Sequence, residues 1–474
     1  MMIPTILSRH TLATAAAATP RDHYRVVIVG AGTGGLAVAH ALSTSLRGER
    51  IAVVDASEQH ANQPLWTFVG AGLKSFESSV RPTASLLPNG VTHVRANVAA
   101  LDPVARTLTT SGTGSPTLSY DHIVLAPGIA ADYTSIGGLE ALLADPNARV
   151  VSNYHPEYVQ KGPAAIASLA RAAGRPGARE QRALFTMPAS PIKCPGAPQK
   201  MAYLAEEAWR DAGVRGSVRV DYATGTPRIF AIDKYARALE KVAASRGVNV
   251  TTHVDLVRVT DSAATFKVCP AAPGATSPPA AGTPGTEITL EYDFLHVSPP
   301  HRPPAFIRAA GLADAAGFVA VDRHSLQHVK YPTVFALGDA AGVPTSKTAA
   351  AAAAQTPVLV TNLLASLSGK PATVASYDGY ASCPLITGKK SVILAEFSGF
   401  TGQPMETFGA MSDQGVERGW AYTLTADVLP WVYWNGLVKQ GWWQGPKGVR
   451  ETVTDVAKAV GLGGASSGPS SASP

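Results

Sequence analysis

The chain reads as an α/β protein of two parallel-sheet units, the second inserted into the first, followed by a C-terminal segment that associates with a membrane. Three observations predict this. Residues 24–29 (YRVVIV) form an apolar strand that runs into Gly30-Ala31-Gly32-Thr33-Gly34-Gly35, then a helix at about 36–46 and a strand at 51–56 (IAVVDA). A further strand–loop–helix unit recurs at 183–187 (ALFTM) and 199–210, before an apolar strand at 332–339 (PTVFALGD). Residues 429–446 (LPWVYWNGLVKQGWWQGP) hold four of the seven tryptophans, the composition of a segment at a membrane surface.

The bulk numbers bound the class. A chain of 474 residues has room for two or three domains, and 46% hydrophobic with 16% charged residues describes a globular protein. The net charge of +6 suits an anionic membrane surface, while no Lys/Arg cluster with interleaved aromatics argues for nucleic acid. Three cysteines exclude a disulfide framework but allow one redox pair. No run of 18 apolar residues marks a membrane-spanning helix. Residues 1–23 carry Arg9 and Arg21, no acid before Asp22, and many Ser, Thr and Ala. That composition fits a mitochondrial presequence or a ragged N-terminus. Residues 461–474 are rich in Gly, Ser and Pro and read as a disordered tail.

The first unit carries a nucleotide signature. Gly30, Gly32 and Gly35 form G-x-G-x-x-G after a strand and before a helix, and Asp55 ends the next strand where an acid meets an adenosine ribose. The alternative is a glycine turn used only for helix–strand packing. Residues 91–98 read as a strand, and 123–126 as a buried strand ending in Ala126-Pro127-Gly128. Gly338-Asp339 ends the strand at 332–339, where a carboxylate can accept from the ribityl hydroxyls of FAD (flavin adenine dinucleotide). Lys347 and Thr348 lead into an alanine-rich helix at about 349–364, kinked by Pro357. Its N-terminus and Lys347 either face the N1/C2 edge of a flavin or serve as a helix cap with a solvated lysine. These pieces predict two Rossmann-like dinucleotide-binding domains. Residues 24–148 and 318–370 make a discontinuous FAD-binding domain, and 149–317 an inserted second domain. Residues 371–460 make a C-terminal region.

Within the insertion, helices are expected near 163–173 and 234–245, and strands at 217–222 and 248–259. Residues 268–285 are Pro/Ala/Gly-rich and read as a surface loop, with Cys269 an incidental thiol. The loop 190–200 (SPIKCPGAPQK) is different in kind. It places Cys194 between a strand and a helix, on the side of an α/β sheet where ligands bind. Three prolines remove backbone donors, so the loop is built against phosphate. Cys194 reads either as a buried structural thiol or as a reactive one, with Lys193 and Lys200 near enough in sequence to lower its pKa. Cys383, in 376–397, is the other cysteine in an ordered-looking segment. The aromatic segment at 429–446 either lies in a membrane interface or packs on the core. His296 with His301, and His324 with His328, lack a third ligand nearby, so no metal is expected.

At this point the chain resembles the mitochondrial-type sulfide:quinone oxidoreductases, flavoproteins of the disulfide reductase superfamily. The residues carrying it are VIVGAGTGGLAVA, QPLWTFVGAGLK with RPTAS, SPIKCPGAPQKMAYL, FALGD with PTSKTAAA, YDGYASCPLITG, VILAEF and the aromatic C-terminus, together spanning about 24–446. The resemblance implies a Cys194–Cys383 redox disulfide beside FAD. It implies cofactor contacts from Thr33, Gly34, Asp55, Gln63, Val98, Asp339 and Lys347, Thr348, Ala349 and Ala350. It further implies hydrogen sulfide as donor, ubiquinone as acceptor, and glutathione, sulfite or cyanide as the small sulfur acceptor. The location it implies is peripheral, on the mitochondrial inner membrane. The Pro-rich insertion near Cys269, Pro195 and Gly436 depart from the family pattern. A type II NADH:quinone oxidoreductase would need a second glycine fingerprint, and MPASPIKCPGAPQ offers only Gly196. A flavin-binding redox sensor without turnover is the other alternative.

Overall fold

The computed structural model describes residues 22–112, 116–270, 282–439 and 445–459. Residues 1–21 of the expected presequence, the centre of the Pro-rich loop, Trp442 and Trp443, and the tail lie outside the described residues.

The first sheet is ordered Thr92–Val94, Ile51–Val54, His23–Val29, Thr117–Leu125, Thr107–Thr110, Val98–Asp102. Its central strands are parallel and buried on both faces: Val26, Val27 and Ile28 have no exposed surface. That burial explains an unbroken apolar run where a one-faced strand would alternate. Strand Thr117–Leu125 is shared. Its first half pairs antiparallel with Thr107–Thr110, and its second half pairs parallel with Val334–Ala336, which returns from the far side of the insertion.

The helix Thr33–Ser45 begins three residues before the apolar pattern does, because the end of the glycine loop is already helical. Two glycines are required by close approach. Gly30 has φ +96°, and a Cβ there would meet the Ala126 carbonyl oxygen at 2.3 Å. A Cβ on Gly35 would meet the Gly30 carbonyl oxygen at 1.8 Å.

The inserted unit holds a five-stranded parallel sheet ordered Val150–Val151, Phe294–His296, Gln181–Met187, Val218–Thr224, Val248–Thr251. Helices Gly162–Ala173, Ala197–Asp211 and Asp233–Ser245 accompany it. Two expected strands are each two. Residues 248–259 break at His253, whose φ of +62° turns the chain into Val254–Val259 of a separate antiparallel sheet. Residues 91–98 break after Val94, so Val98 opens a new strand paired with Thr107–Thr110.

The helix Ala349–Leu367 runs a turn past the pattern and carries Pro357 inside. It is long and apolar enough to cross a membrane, yet Leu359 and Leu363 are fully buried in the core of the first unit. A hairpin, Tyr380–Gly388 with Ser391–Ser398, follows and packs on helix Ala197–Asp211 of the insertion. Residues 419–437 then form one helical run of alternating α and π turns.

Candidate active site

Cys194 follows a strand of the inserted sheet, and Cys383 sits in the hairpin opposite Ala395. The fold brings them together: the two Sγ atoms are 3.7 Å apart, and both are free thiols. Cys383 is buried, while Cys194 is half-buried and lines a cavity. Cys194 has φ +45°, a conformation L residues rarely hold. Its amide donates to the Lys347 carbonyl at 2.8 Å, which pins the loop to the N-terminal approach of the alanine-rich helix. Gly196 closes against the pair with no room to spare, since a Cβ there would lie 2.5 Å from Cys383 Sγ.

The two sulfurs are electrostatically unlike. A hydrogen bond from Cys383 holds the Cys194 pKa below the ordinary thiol range, and the Lys200 ammonium, 3.5 Å from Cys194 Sγ, adds to this against the cost of burial. The same contact with Cys194, together with burial, pushes Cys383 up. Burial works against the charge on Lys200, but the two sulfurs outweigh it and raise its pKa. The site therefore holds a thiolate–ammonium pair with a neutral thiol donating to it. The third cysteine has no part in this: burial and Asp255 raise the Cys269 thiol to about 11.

The cavity beside the thiols measures about 810 Å³. Gly30, Gly32, Thr33, Gly34, Asp55 and Gln63 line it from the first half of the chain. Gly338, Asp339, Lys347, Thr348, Ala349 and Ala350 line it from the second. Gly35 and Val98 are not part of the lining. Gly35 serves the helix–strand crossing, and the break after Val94 carries Val98 to the antiparallel edge. Asp55 does local work as well: Oδ2 accepts from the Ala31 amide at 2.6 Å and Oδ1 from the Ser57 amide at 2.7 Å. The Lys347 ammonium donates to the Ala341 carbonyl at 2.6 Å and lies over the Phe318 ring at 4.4 Å. Burial lowers its pKa to about 8. Thr348 caps the helix by accepting from the Ala351 amide, leaving the first-turn amides of Ala349 and Ala350 at the cavity without intrahelical acceptors.

These residues fit a dinucleotide flavin. A Cβ on Gly32 would meet nothing within 4 Å, so the loop leaves open space where a pyrophosphate would approach the backbone. The helix N-terminus at the opposite wall supplies donors and partial positive charge.

Residues 24–158 match the family model for pyridine nucleotide-disulphide oxidoreductases. The chain is 39% identical over 443 residues to the mitochondrial sulfide:quinone oxidoreductase of Mus musculus, covering 93% of this chain and 92% of that protein. The Schizosaccharomyces pombe protein of the same name is 38% identical over 450 residues, covering 90% and 92%. The chain belongs to the mitochondrial sulfide:quinone oxidoreductase family. It is a flavin-dependent oxidoreductase. The solved structure of the Aquifex aeolicus sulfide:quinone oxidoreductase shares the fold, with a TM-score of 0.67, 18% identity, and coverage of 88% of this chain and 92% of that one.

This chain buries many polar groups, and some of them carry a cost. His296 is fully buried and stacks on Phe185 at 5.9 Å. Neither ring nitrogen has a partner among the described residues. Burial pushes its pKa down to about 3. Below pH 6.5 the unfolded chain takes up a proton that the folded chain refuses, so stability falls as pH drops from about 6.5 toward 3. The slope is about 1.4 kcal/mol per pH unit. His296→Leu is expected to flatten that part of the profile, as read from thermal midpoints between pH 7 and 4. His328 is also buried but satisfied: Nε2 faces the Leu312 carbonyl, and Nδ1 accepts from the Lys330 and Tyr331 amides.

Proposed function

We propose that the protein oxidises hydrogen sulfide through Cys194 and Cys383, holds FAD in the cavity between the glycine loop and the alanine-rich helix, and reduces ubiquinone at the mitochondrial inner membrane. The observation that carries this reading is the sulfur pair itself. Two thiols 189 positions apart in sequence meet at 3.7 Å, with an ammonium on one of them, at the wall of a nucleotide-sized cavity.

The chemistry follows from the unlike sulfurs. In the oxidised enzyme the pair is a disulfide, and hydrosulfide attacks the Cys383 sulfur. The S–S bond breaks, Cys383 becomes a persulfide, and Cys194 leaves as a thiolate that Lys200 stabilises. A low-pKa leaving thiol speeds such exchange. A small nucleophile then takes the outer sulfur, which returns Cys383 to a thiol. Withdrawal of two electrons and one proton closes the disulfide again. A bound flavin supplies the two-electron relay from this pair to the quinone. Splitting the reaction into sulfur transfer and electron transfer replaces one hard step by easier ones.

The quinone side is apolar. Phe408, Leu424, Val428, Leu429 and Leu437 line the cavity from the C-terminal region. The same helical run exposes Trp431 (60%) and Val428 (44%), and Trp420 at its start is 40% exposed. With the net charge of +6, this surface suits an anionic bilayer. The rival reading, an NADH dehydrogenase, meets a loop at 188–196 in which Cys194 and prolines stand where a phosphate cradle would be.

Anaerobic sulfide is expected to bleach the flavin of the purified protein and to drive reduction of a short-chain ubiquinone analogue, while NADH does neither. Flavin reduction by NADH, or an oxidised spectrum that persists under sulfide, would remove the proposal.

A further inference from the structure

The C-terminal helical run is hydrogen-bonded to the nucleotide loop through Tyr433, a contact that spans 400 positions of sequence. Tyr433 is buried, and its hydroxyl lies 2.9 Å from Thr33 Oγ1 and 2.7 Å from His60 Nε2. His60 Nδ1 lies 2.8 Å from the Ala31 carbonyl oxygen. A carbonyl only accepts, so Nδ1 carries the hydrogen and Nε2 is the acceptor. Tyr433 O–H therefore donates to His60, and its oxygen accepts from the Thr33 hydroxyl. Burial lowers the His60 pKa, which keeps the ring neutral as this arrangement requires. The rings reinforce the bonds. His60 stacks on Tyr433 and meets the edge of Trp434, each at 5.8 Å, and Arg81 lies over the Trp434 ring at 4.8 Å.

Ala31 and Thr33 flank Gly32, the residue whose missing Cβ leaves the cradle open. One tyrosine therefore holds both neighbours of the cradle, one directly and one through His60. Two turns of the run around it are π-helical, at Leu424–Val428 and Tyr433–Leu437, a widening found often at functional sites. Trp431, two residues before the latch, is turned out to solvent.

We propose that Tyr433 is a positioning residue for the flavin dinucleotide, and that through it retention of the cofactor and docking of the C-terminal segment are coupled. The cofactor orders the loop that Tyr433 binds, and the docked segment holds that loop for the cofactor. Such coupling acts equally in both directions. Its extension to the bilayer rests on the membrane reading above: lipid that holds the segment would also hold the flavin.

The test uses the full-length, flavin-loaded protein and Tyr433→Phe, which keeps the ring and removes only the hydroxyl. Flavin retention, followed by the fluorescence of released FAD in solution, is expected to be about tenfold weaker in the variant, the effect of losing two hydrogen bonds. Trypsin cleavage after the exposed Lys439 is expected to be slow in loaded wild type, fast in flavin-stripped wild type, and fast in the variant in both states. Phosphatidylglycerol vesicles are expected to tighten flavin retention in wild type and not in the variant. Tyr433→Phe that keeps flavin as tightly as wild type, or cleavage that ignores flavin, would overturn the coupling. Trp431→Ser separates the two readings. It should weaken vesicle sedimentation and leave flavin retention in solution at the wild-type value. If wild type itself fails to sediment with vesicles, the membrane reading falls, and the solution measurements alone decide the coupling.

Discussion

Cys194→Ser and Cys383→Ser are each expected to lower sulfide-dependent quinone reduction by at least about a thousandfold while the purified protein stays yellow. Serine has nearly the shape of cysteine but forms neither a disulfide nor a persulfide, so the sulfur-transfer half of the reaction has no substitute. Flavin content should hold, because neither side chain supports the glycine loop or the alanine-rich helix. The two variants should differ in how they alkylate. In Cys383→Ser the Cys194 sulfur keeps its Lys200 neighbour at 3.5 Å and should react with iodoacetamide at neutral pH. In Cys194→Ser the remaining Cys383 thiol is buried and should stay unmodified under the same conditions. Mass mapping of the labelled cysteine checks this. A serine variant with full turnover would remove the sulfur pair from the mechanism.

Gly196→Ala is expected to cost about a hundredfold in kcat through geometry alone. Gly196 has φ −81° and ψ −11°, which alanine adopts without strain. What alanine lacks is space. Its methyl would sit 2.5 Å from Cys383 Sγ and 2.7 Å from Leu385 Cδ2. Leu385 is packed in the core of the inserted unit, so the sulfur yields and the 3.7 Å contact opens. Overpacking of this kind costs about 1–3 kcal/mol of stability, which a thermal midpoint will register. The discriminating measurement is the rate of disulfide formation on mild oxidation. It should fall in step with kcat while flavin content does not change.

Much of this arrangement was legible in the residues, and the rest was not for definite reasons. The β-α-β unit at the N-terminus declares itself because burial on both faces demands a continuous apolar run and the crossing at Gly30 and Gly35 admits no side chain. The cysteine loop declares itself because thiol and prolines stand where glycines would bind phosphate. Strand breaks were hidden: His253 turns the chain with a positive φ that glycine or asparagine would have announced and histidine does not. The loss of Val98 from the cavity has the same origin, a break inside an apolar stretch. Lys347 is visible as a lysine before a helix, but its commitment to the Ala341 carbonyl and Phe318 depends on side-chain direction. The pairing of Cys194 with Cys383 came through resemblance, since nothing local joins residues so far apart. Tyr433 left no signal at all: it looks like one more aromatic in an aromatic segment. Gly196 did leave one, as the lone glycine in a loop otherwise filled with proline.

The backbone bond from Cys194 to Lys347 also bears on how such a site could be re-engineered. The thiol loop belongs to the inserted unit and the lysine to the first, yet they share a rung of main chain. Grafting the loop onto another scaffold would sever that rung, and with it the unusual twist at Cys194. The two units that meet at this seam are thus not interchangeable cassettes, and a chimera that joins them from different parents must inherit both strands of it.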